Sequence, residues 1–217
     1  MTKVVIWGAS GHARVVADIV RLMACHEVVG FLDNVDASKI GQAFDGSVVL
    51  GGEEQLAALR SSGVDYVALC VGDNNARLKL GDLALEAGFK LVTAVHPAAT
   101  VANNAYLAEG AVLCAGSVVN PCAHVGRLAI INTRASVDHD CVVGEGVHLA
   151  PGACIAGNVS VGRATTLGVG SAVRDGIVIG KQAMIGAGAV VVSDLPDNVT
   201  AYGVPAKAIT KKRQRPR

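Results

Sequence analysis

Aromatic side chains are nearly missing from this chain, at 3% of 217 residues. Yet 51% of the residues are apolar, so a core must be built from Val, Ile, Leu and Ala. Net charge is missing too. Nineteen Lys and Arg against eighteen Asp and Glu leave +1, which supplies no field for nucleic acid or an acidic partner. No apolar run approaches the roughly 20 residues of a membrane helix. Met1-Thr2-Lys3 leads directly into a strand pattern rather than a targeting leader. The six cysteines (Cys25, Cys70, Cys114, Cys122, Cys141, Cys154) contain no CxxC and no pairing rhythm. They are expected to be reduced, small core or corner residues. A cytoplasmic protein without membrane or nucleic-acid partners is expected.

What the chain does have is a period of six. From Val101 to Pro196, sixteen consecutive hexads open with Val, Leu or Ile, from Val101 and Leu107 through Ile185 and Val191, without an insertion. The fifth place is mostly small (Ala105, Ala111, Ser117, Ala123, Ala129), and the second is often Gly or Ala (Gly126, Gly144, Gly162, Gly180). Six fits neither an amphipathic helix nor a two-faced strand. It marks a parallel β-helix in which three short strands make one eighteen-residue coil. The aliphatic residue fills the inside and the small one leaves room beside it. The second-place glycines are expected to ease the corners. One coil cannot bury its own core, so the stack is the folding unit.

Before the hexads, the spacing predicts a small βαβαβ domain. Lys3–Trp7 reads as a buried strand. Gly8-Ala9-Ser10-Gly11-His12 reads as a glycine-rich turn and Arg14–Ala24 as a helix. Val28–Leu32 is a second strand ending in Asp33-Asn34, and 51–62 a helix. Tyr66–Val71 is a strand ending in Gly72-Asp73-Asn74, Asn75–Ala87 a helix, and Leu91–Val95 a last strand closed by His96-Pro97. The turn places backbone N–H groups at a helix N-terminus, a ready anion site. The polar strand ends gather on one edge of an open parallel sheet, where ligands bind. The domains are therefore expected at 1–97 and 98–217. A nicotinamide-binding domain is disfavoured, because Ser10 replaces the middle glycine of GxGxxG and too little sheet follows. Val199–Ile209 leaves the hexad phase at Gly203-Val204-Pro205 and is expected to cap the last coil, which an open stack needs. Lys211–Arg217 is a basic tail, able to touch a phosphate but more in keeping with a solvated end.

Among six histidines, His124, His139 and His148 are spaced by fifteen and nine residues, so none stacks on another in successive coils, and no metal site is expected. His139 falls at an outward corner place between Asp138 and Asp140. A carboxylate beside an imidazole can fix its tautomer and raise its basicity. Gly157, eighteen residues on, lies directly beneath. Its N–H could face an oxyanion.

The hexads resemble those of left-handed β-helix acyltransferases. Gly-Ala-Ser-Gly-His at 8–12, Phe-Leu-Asp at 31–33, Val-Gly-Asp-Asn at 71–74, Val-His-Pro at 95–97, Asn-Thr at 132–133, Asp-His-Asp at 138–140 and Gly-Val-Pro-Ala-Lys at 203–207 sharpen the likeness. In this order they resemble the bacillosamine and perosamine N-acetyltransferase family, which also contains sialic acid O-acetyltransferases. The resemblance implies the left hand of the helix, a homotrimer, and acetyl-CoA held in the groove between subunits. It implies His139 and Asp140 as catalytic residues and His148, Gly157 and Ala187 on the CoA side. It also implies Ser10, Gly11, His12, Asp33, Asn34, Gly72 and Asn132 around a nucleotide-linked amino sugar. O-acetylation of a sialic acid, or a non-catalytic nucleotide-binding trimer, are the competing readings.

Overall fold

The computed structural model describes residues 1–209. The basic tail at 211–217 lies outside the described residues. The first apolar runs form a six-stranded sheet with β1 (Thr2–Trp7), β2 (His26–Leu32), β3 (Ala43–Phe44), β4 (Ser47–Gly51), β5 (Tyr66–Leu69) and β6 (Lys90–Leu91). Their spatial order is β3-β4-β2-β1-β5-β6. All pairings are parallel except the β3–β4 hairpin, which the sequence did not predict. Helices α1 (Gly11–Leu22), α2 (Leu56–Ser61) and α3 (Asn74–Glu86) complete the domain. The helix expected over 51–62 is shorter, its first turn being the 3-10 helix Glu53–Gln55. Asp73 starts α3 by accepting from the Ala76 N–H at 2.8 Å, which satisfies one of the free donors of a first turn.

The chain leaves β1 for β2 on one side and later crosses to β5 on the other. The sheet order thus reverses between β1 and β5, and the loops after these two strands border a crevice.

The strand expected over Leu91–Val95 is split. Lys90–Leu91 ends the sheet, whereas Ala94–Val95 pairs with Val112–Leu113 as the first rung of the β-helix. Val95 occupies the hexad place before Val101, so the coil starts one hexad earlier than the 97/98 boundary suggests. Two-residue strands then stack in three faces. The first face runs from Ala94–Val95 to Met184–Ile185, the second from Thr100–Val101 to Val190–Val191, the third from Tyr106–Leu107 to Val178–Ile179. Each strand pairs with the one eighteen residues on, as Val112 with Ile130. The inner column is dry and aliphatic, with Leu113, Val125, Ile131, Val137, Leu149 and Leu167 all at or near zero exposure.

The glycines do something other than expected. Positive φ falls on the fourth hexad place, whatever the residue, as at Leu128 (+56°), Arg134 (+54°) and Asp140 (+57°). The second-place glycines instead make room for the coil below. A Cβ on Gly126 would stand 2.7 Å from the Glu145 nitrogen, and one on Gly162 2.5 Å from the Lys181 nitrogen. They permit close stacking of backbones rather than a special turn.

The period ends by losing two residues. Leu195 bridges to Ile179, and Thr200–Ala201 pairs with Met184–Ile185, sixteen residues apart rather than eighteen. Asp194 and Asp197 carboxylates accept from the Val178 and Lys181 N–H groups at the exposed end. Thr200–Tyr202 and Lys207–Ile209 form an antiparallel hairpin that buries Ala201 and Ala206 against the last coil, the cap that the sequence predicted.

The α/β domain packs on the helix through two contacts. Val16 and Val20 of α1 share a core with Val112, Cys114 and Ile130 of the first face. Helix α3 lies along the corner between the third and first faces, where Leu128 is fully buried against Gly81. Arg77 of α3 is fully buried and, among the described residues, forms no ion pair with a carboxylate. It donates to the carbonyls of Leu128 and Gly146 on the helix, to Val71 after β5, and to Asn74 Oδ1, at 2.8–2.9 Å. Carbonyl oxygens thus stand in for a counter-ion.

Candidate active site

The predicted residues fall into three groups. The first lines a cavity of about 460 Å³ at the crevice beside β1, which includes Ser10, Asp33, Asn34 and Gly72. Asp33 is 8% exposed, and its oxygens are already engaged. Lys39 Nζ donates to Oδ2 at 2.7 Å and the Val35 N–H to Oδ1 at 2.8 Å. Burial pushes this carboxyl up, but the bonds from Lys39, Val35 and Asp36 and the Lys39 charge outweigh it and hold it below the usual range. Asn34 is fixed by Trp7, whose Nε1 donates to its Oδ1 at 2.8 Å. Ser10 precedes α1 without a side-chain cap bond, and Gly11 is exposed at its first turn.

The second group occupies the seam between the domains. His12 does not line the first cavity and lies near enough to Arg77 and His148 for charge to act between them. His12 Nε2 is buried and, among the described residues, has no hydrogen-bond partner, an orphan of the kind that a ligand satisfies. Asn132 Nδ2 lies 3.1 Å from His148 Nε2. Burial first, then the Arg77 charge, lowers His12 to about 4. Burial, then Arg77 and His12, lowers His148 to about 4. His148 is therefore a neutral ring that accepts from Asn132. It also borders a second, polar cavity of about 340 Å³ shared with Gly72, Asn74 and Thr166. Arg77 escaped the sequence reading, and Asn74 was read only as part of the polar end after β5, not as its partner. Their i, i+3 spacing puts them on one helix face, but it does not reveal the β-helix carbonyls that Arg77 meets.

The third group is His139, Asp140 and Gly157. His139 Nδ1 donates to Asp140 Oδ2 at 2.8 Å. Asp140 sits at the fourth-place corner with φ +57°, which turns its short side chain beside the ring. Asp138 faces the backbone, accepting from the His139 N–H at 2.7 Å and from Asn120 Nδ2 of the coil before at 2.9 Å. The imidazole lies over Gly157, where a Cβ would stand 2.6 Å from His139 Nε2. Among the described residues, nothing accepts from the Gly157 N–H. The bond to Asp140 raises His139 above the usual imidazole range, burial opposes this, and the Asp138 and Asp140 charges add to the rise.

Residues 3–82 match the PglD N-terminal domain family. The perosamine N-acetyltransferase of Caulobacter crescentus, solved as a histidine variant with CoA and GDP-perosamine, is 43% identical over 97% of this chain and 98% of its own, with a TM-score of 0.92. The acetyltransferase domain of PglB from Neisseria gonorrhoeae FA1090, solved with acetyl coenzyme A, is 36% identical over 95% of this chain and 98% of its own, with a TM-score of 0.89. The GDP-perosamine N-acetyltransferase of Escherichia coli O157:H7 is 27% identical over 87 residues, which span 40% of this chain and 39% of that protein. This chain belongs to the left-handed β-helix sugar acetyltransferases.

Within this acetyltransferase the three groups do not meet in one copy. His139 and Gly157 occupy the corner between the second and third faces. The α/β domain covers the first face, the one face that this corner does not touch. Asn132 and Ala187 sit at the corner between the first and second faces, and the exposed Ala187 has a free N–H among the described residues. Among the described residues, no group of three or more His, Cys, Asp or Glu is placed to hold a metal ion, no helix is long and apolar enough to cross a membrane, and all six cysteines are free thiols.

Proposed function

We propose that this enzyme moves the acetyl group of acetyl-CoA to the amine of a nucleotide-linked 4-amino-4,6-dideoxy sugar, with GDP-perosamine favoured by the two perosamine relatives. The observation that carries the reading is the His139–Asp140 pair lying over the free N–H of Gly157. An amine attacks only through its lone pair, so a proton must leave it. With Nδ1 donating to Asp140, His139 Nε2 is left to accept that proton. The nitrogen adds to the thioester carbonyl and the Gly157 N–H meets the oxyanion. Collapse breaks the carbon–sulfur bond, and the proton on His139 passes to the departing CoA sulfur. Among the described residues no cysteine sulfur hydrogen-bonds to a His, Asp or Glu side chain, so the acetyl group passes directly to the amine without an acyl-enzyme.

The nucleotide occupies the crevice beside β1, with Ser10, Asp33, Asn34 and Gly72. The sugar reaches along the seam past His12 and Asn132. Acetyl-CoA lies along Gly157, His148 and Ala187. Because one chain holds the crevice and the His139 corner on opposite sides of its helix, each site forms between neighbouring copies, in a homotrimer. Thiol release from acetyl-CoA, followed against GDP- and UDP-linked 4-amino-4,6-dideoxy sugars and against sialic acids, tests the reading. Turnover with an amino sugar is expected. Turnover with sialic acids alone would replace the amine by a hydroxyl, and no turnover with any acceptor would overturn it.

A further inference from the structure

The crevice beside β1 carries a carboxylate that the family motifs do not include. Glu53, on the 3-10 helix after β4, lines the same cavity as Asn34. The neighbouring Glu54 is occupied, accepting from the Gly52 N–H at 2.7 Å, and Asp33 is occupied by Lys39. Among the described residues Glu53 forms no ion pair, and its side chain accepts from Asn34 Nδ2, at 3.3 Å from Oε2. Trp7 holds the Asn34 oxygen, which fixes the flip of that amide and aims its NH₂ at Glu53. Gly52 allows the approach, since a Cβ there would stand 3.1 Å from Asn34 Oδ1. The wall of the cavity thus brings an amide N–H donor beside the two oxygens of a carboxylate.

We infer that Glu53 and Asn34 select guanine among the nucleobases. The inference rests on the crevice being the nucleotide site, as proposed above. The edge of guanine offers O6, N1–H and the N2 amine, an acceptor followed by two donors. It is the complement of Asn34 N–H followed by the two oxygens of Glu53. Uracil offers an acceptor, a donor and a second acceptor, so its O2 would face the carboxylate. Adenine and cytosine turn an amine toward the Asn34 donor. Hydrogen bonds to an ionised carboxylate are the stronger kind, and a carbonyl set against it is penalised, so attraction and repulsion act together. Asp33, sealed by Lys39 and backbone N–H groups, shapes the loop that carries Asn34 and reads no base.

The test is titration calorimetry of the full-length enzyme and its Glu53→Gln variant with GDP, IDP and UDP. IDP lacks only the N2 amine. The wild-type enzyme is expected to bind GDP about 10-fold or more tighter than IDP, and UDP more weakly still, the scale of one charge-assisted hydrogen bond. Glu53→Gln is expected to weaken GDP about 10- to 100-fold and to erase the preference for GDP over IDP. Acetyl-CoA binding should be unchanged. GDP binding by the wild type with the same GDP-to-IDP ratio in Glu53→Gln would overturn the role of Glu53 and leave the crevice as the nucleotide site. Failure of the wild type to bind any of the three, with acetyl-CoA still bound, would overturn both.

Discussion

His139 and His148 are both imidazoles on one β-helix, and their surroundings drive them apart. His139 stands in water beside two carboxylates and is raised; His148 is buried beside Arg77 and is lowered to about 4. Of the two, His139 is held above the ordinary imidazole value and His148 below it. A base that must be unprotonated gives a rate that rises with pH up to its own pKa. The acid limb of kcat/KM is therefore expected above the ordinary imidazole value. Asp140→Asn removes the largest cause of the rise and should move that limb to lower pH while reducing the rate. An unmoved limb would assign the limb to another group. The buried rings show in stability instead. His12 and His148 bind no proton in the fold until about pH 4, whereas the unfolded chain binds one at each near 6.5. Their contribution is whole above pH 6.5 and is lost as pH falls toward 4, up to about 3 kcal/mol each. Thermal unfolding should weaken over that window, and His148→Gln should flatten the slope. An equal slope in the variant would contradict it.

At the scale of elements, the hexad is a record of volume. Every sixth side chain must fill the same inner column, so the pattern survives in the sequence without any structure to interpret it. The fourth-place turns were less legible because Leu, Arg, Asp and Gly all occupy them. The backbone of the coil imposes the conformation and the residue merely tolerates it. Second-place glycines answer a contact with another coil, which the chain read linearly does not display. The two kinds of glycine should respond differently. Gly144→Ala drives a Cβ to 2.8 Å from the Arg163 nitrogen and should cost at least about 2 kcal/mol. Gly170→Asn keeps a φ of +64° in open space and should cost less than about 1 kcal/mol, because Asn adopts that conformation readily. Denaturant unfolding of both variants checks the contrast, and equal losses would contradict it. The stacking of His139 on Gly157 was legible for the same reason as the hexads, since eighteen residues make one coil. Arg77, Asn74 and Glu53 were not. Their roles arise where α3 meets the helix corner and where the loop after β4 meets Asn34, and no sequence period links those places.

At the scale of the whole molecule, the α/β domain and the reactive corner lie on opposite sides of one β-helix. In the proposed assembly a second copy brings its corner to the first copy's crevice. Arg77 then has a wider part. By tying the loop after β5 to carbonyls of the helix, it sets the crevice beside β1 at a fixed height along the stack, which in the proposed assembly fixes the coil of the neighbour that it would face. The division of labour between copies is most directly tested by mixing two disabled chains. His139→Ala removes the proposed base; Ser10→Trp fills the proposed nucleotide crevice. Each alone should be inactive in the thiol-release assay. Unfolded and refolded together, they should form mixed oligomers in which an intact crevice faces an intact corner, and activity should return. Mixed oligomers that stay as inactive as their parents would place base and crevice in the same copy and contradict the shared site.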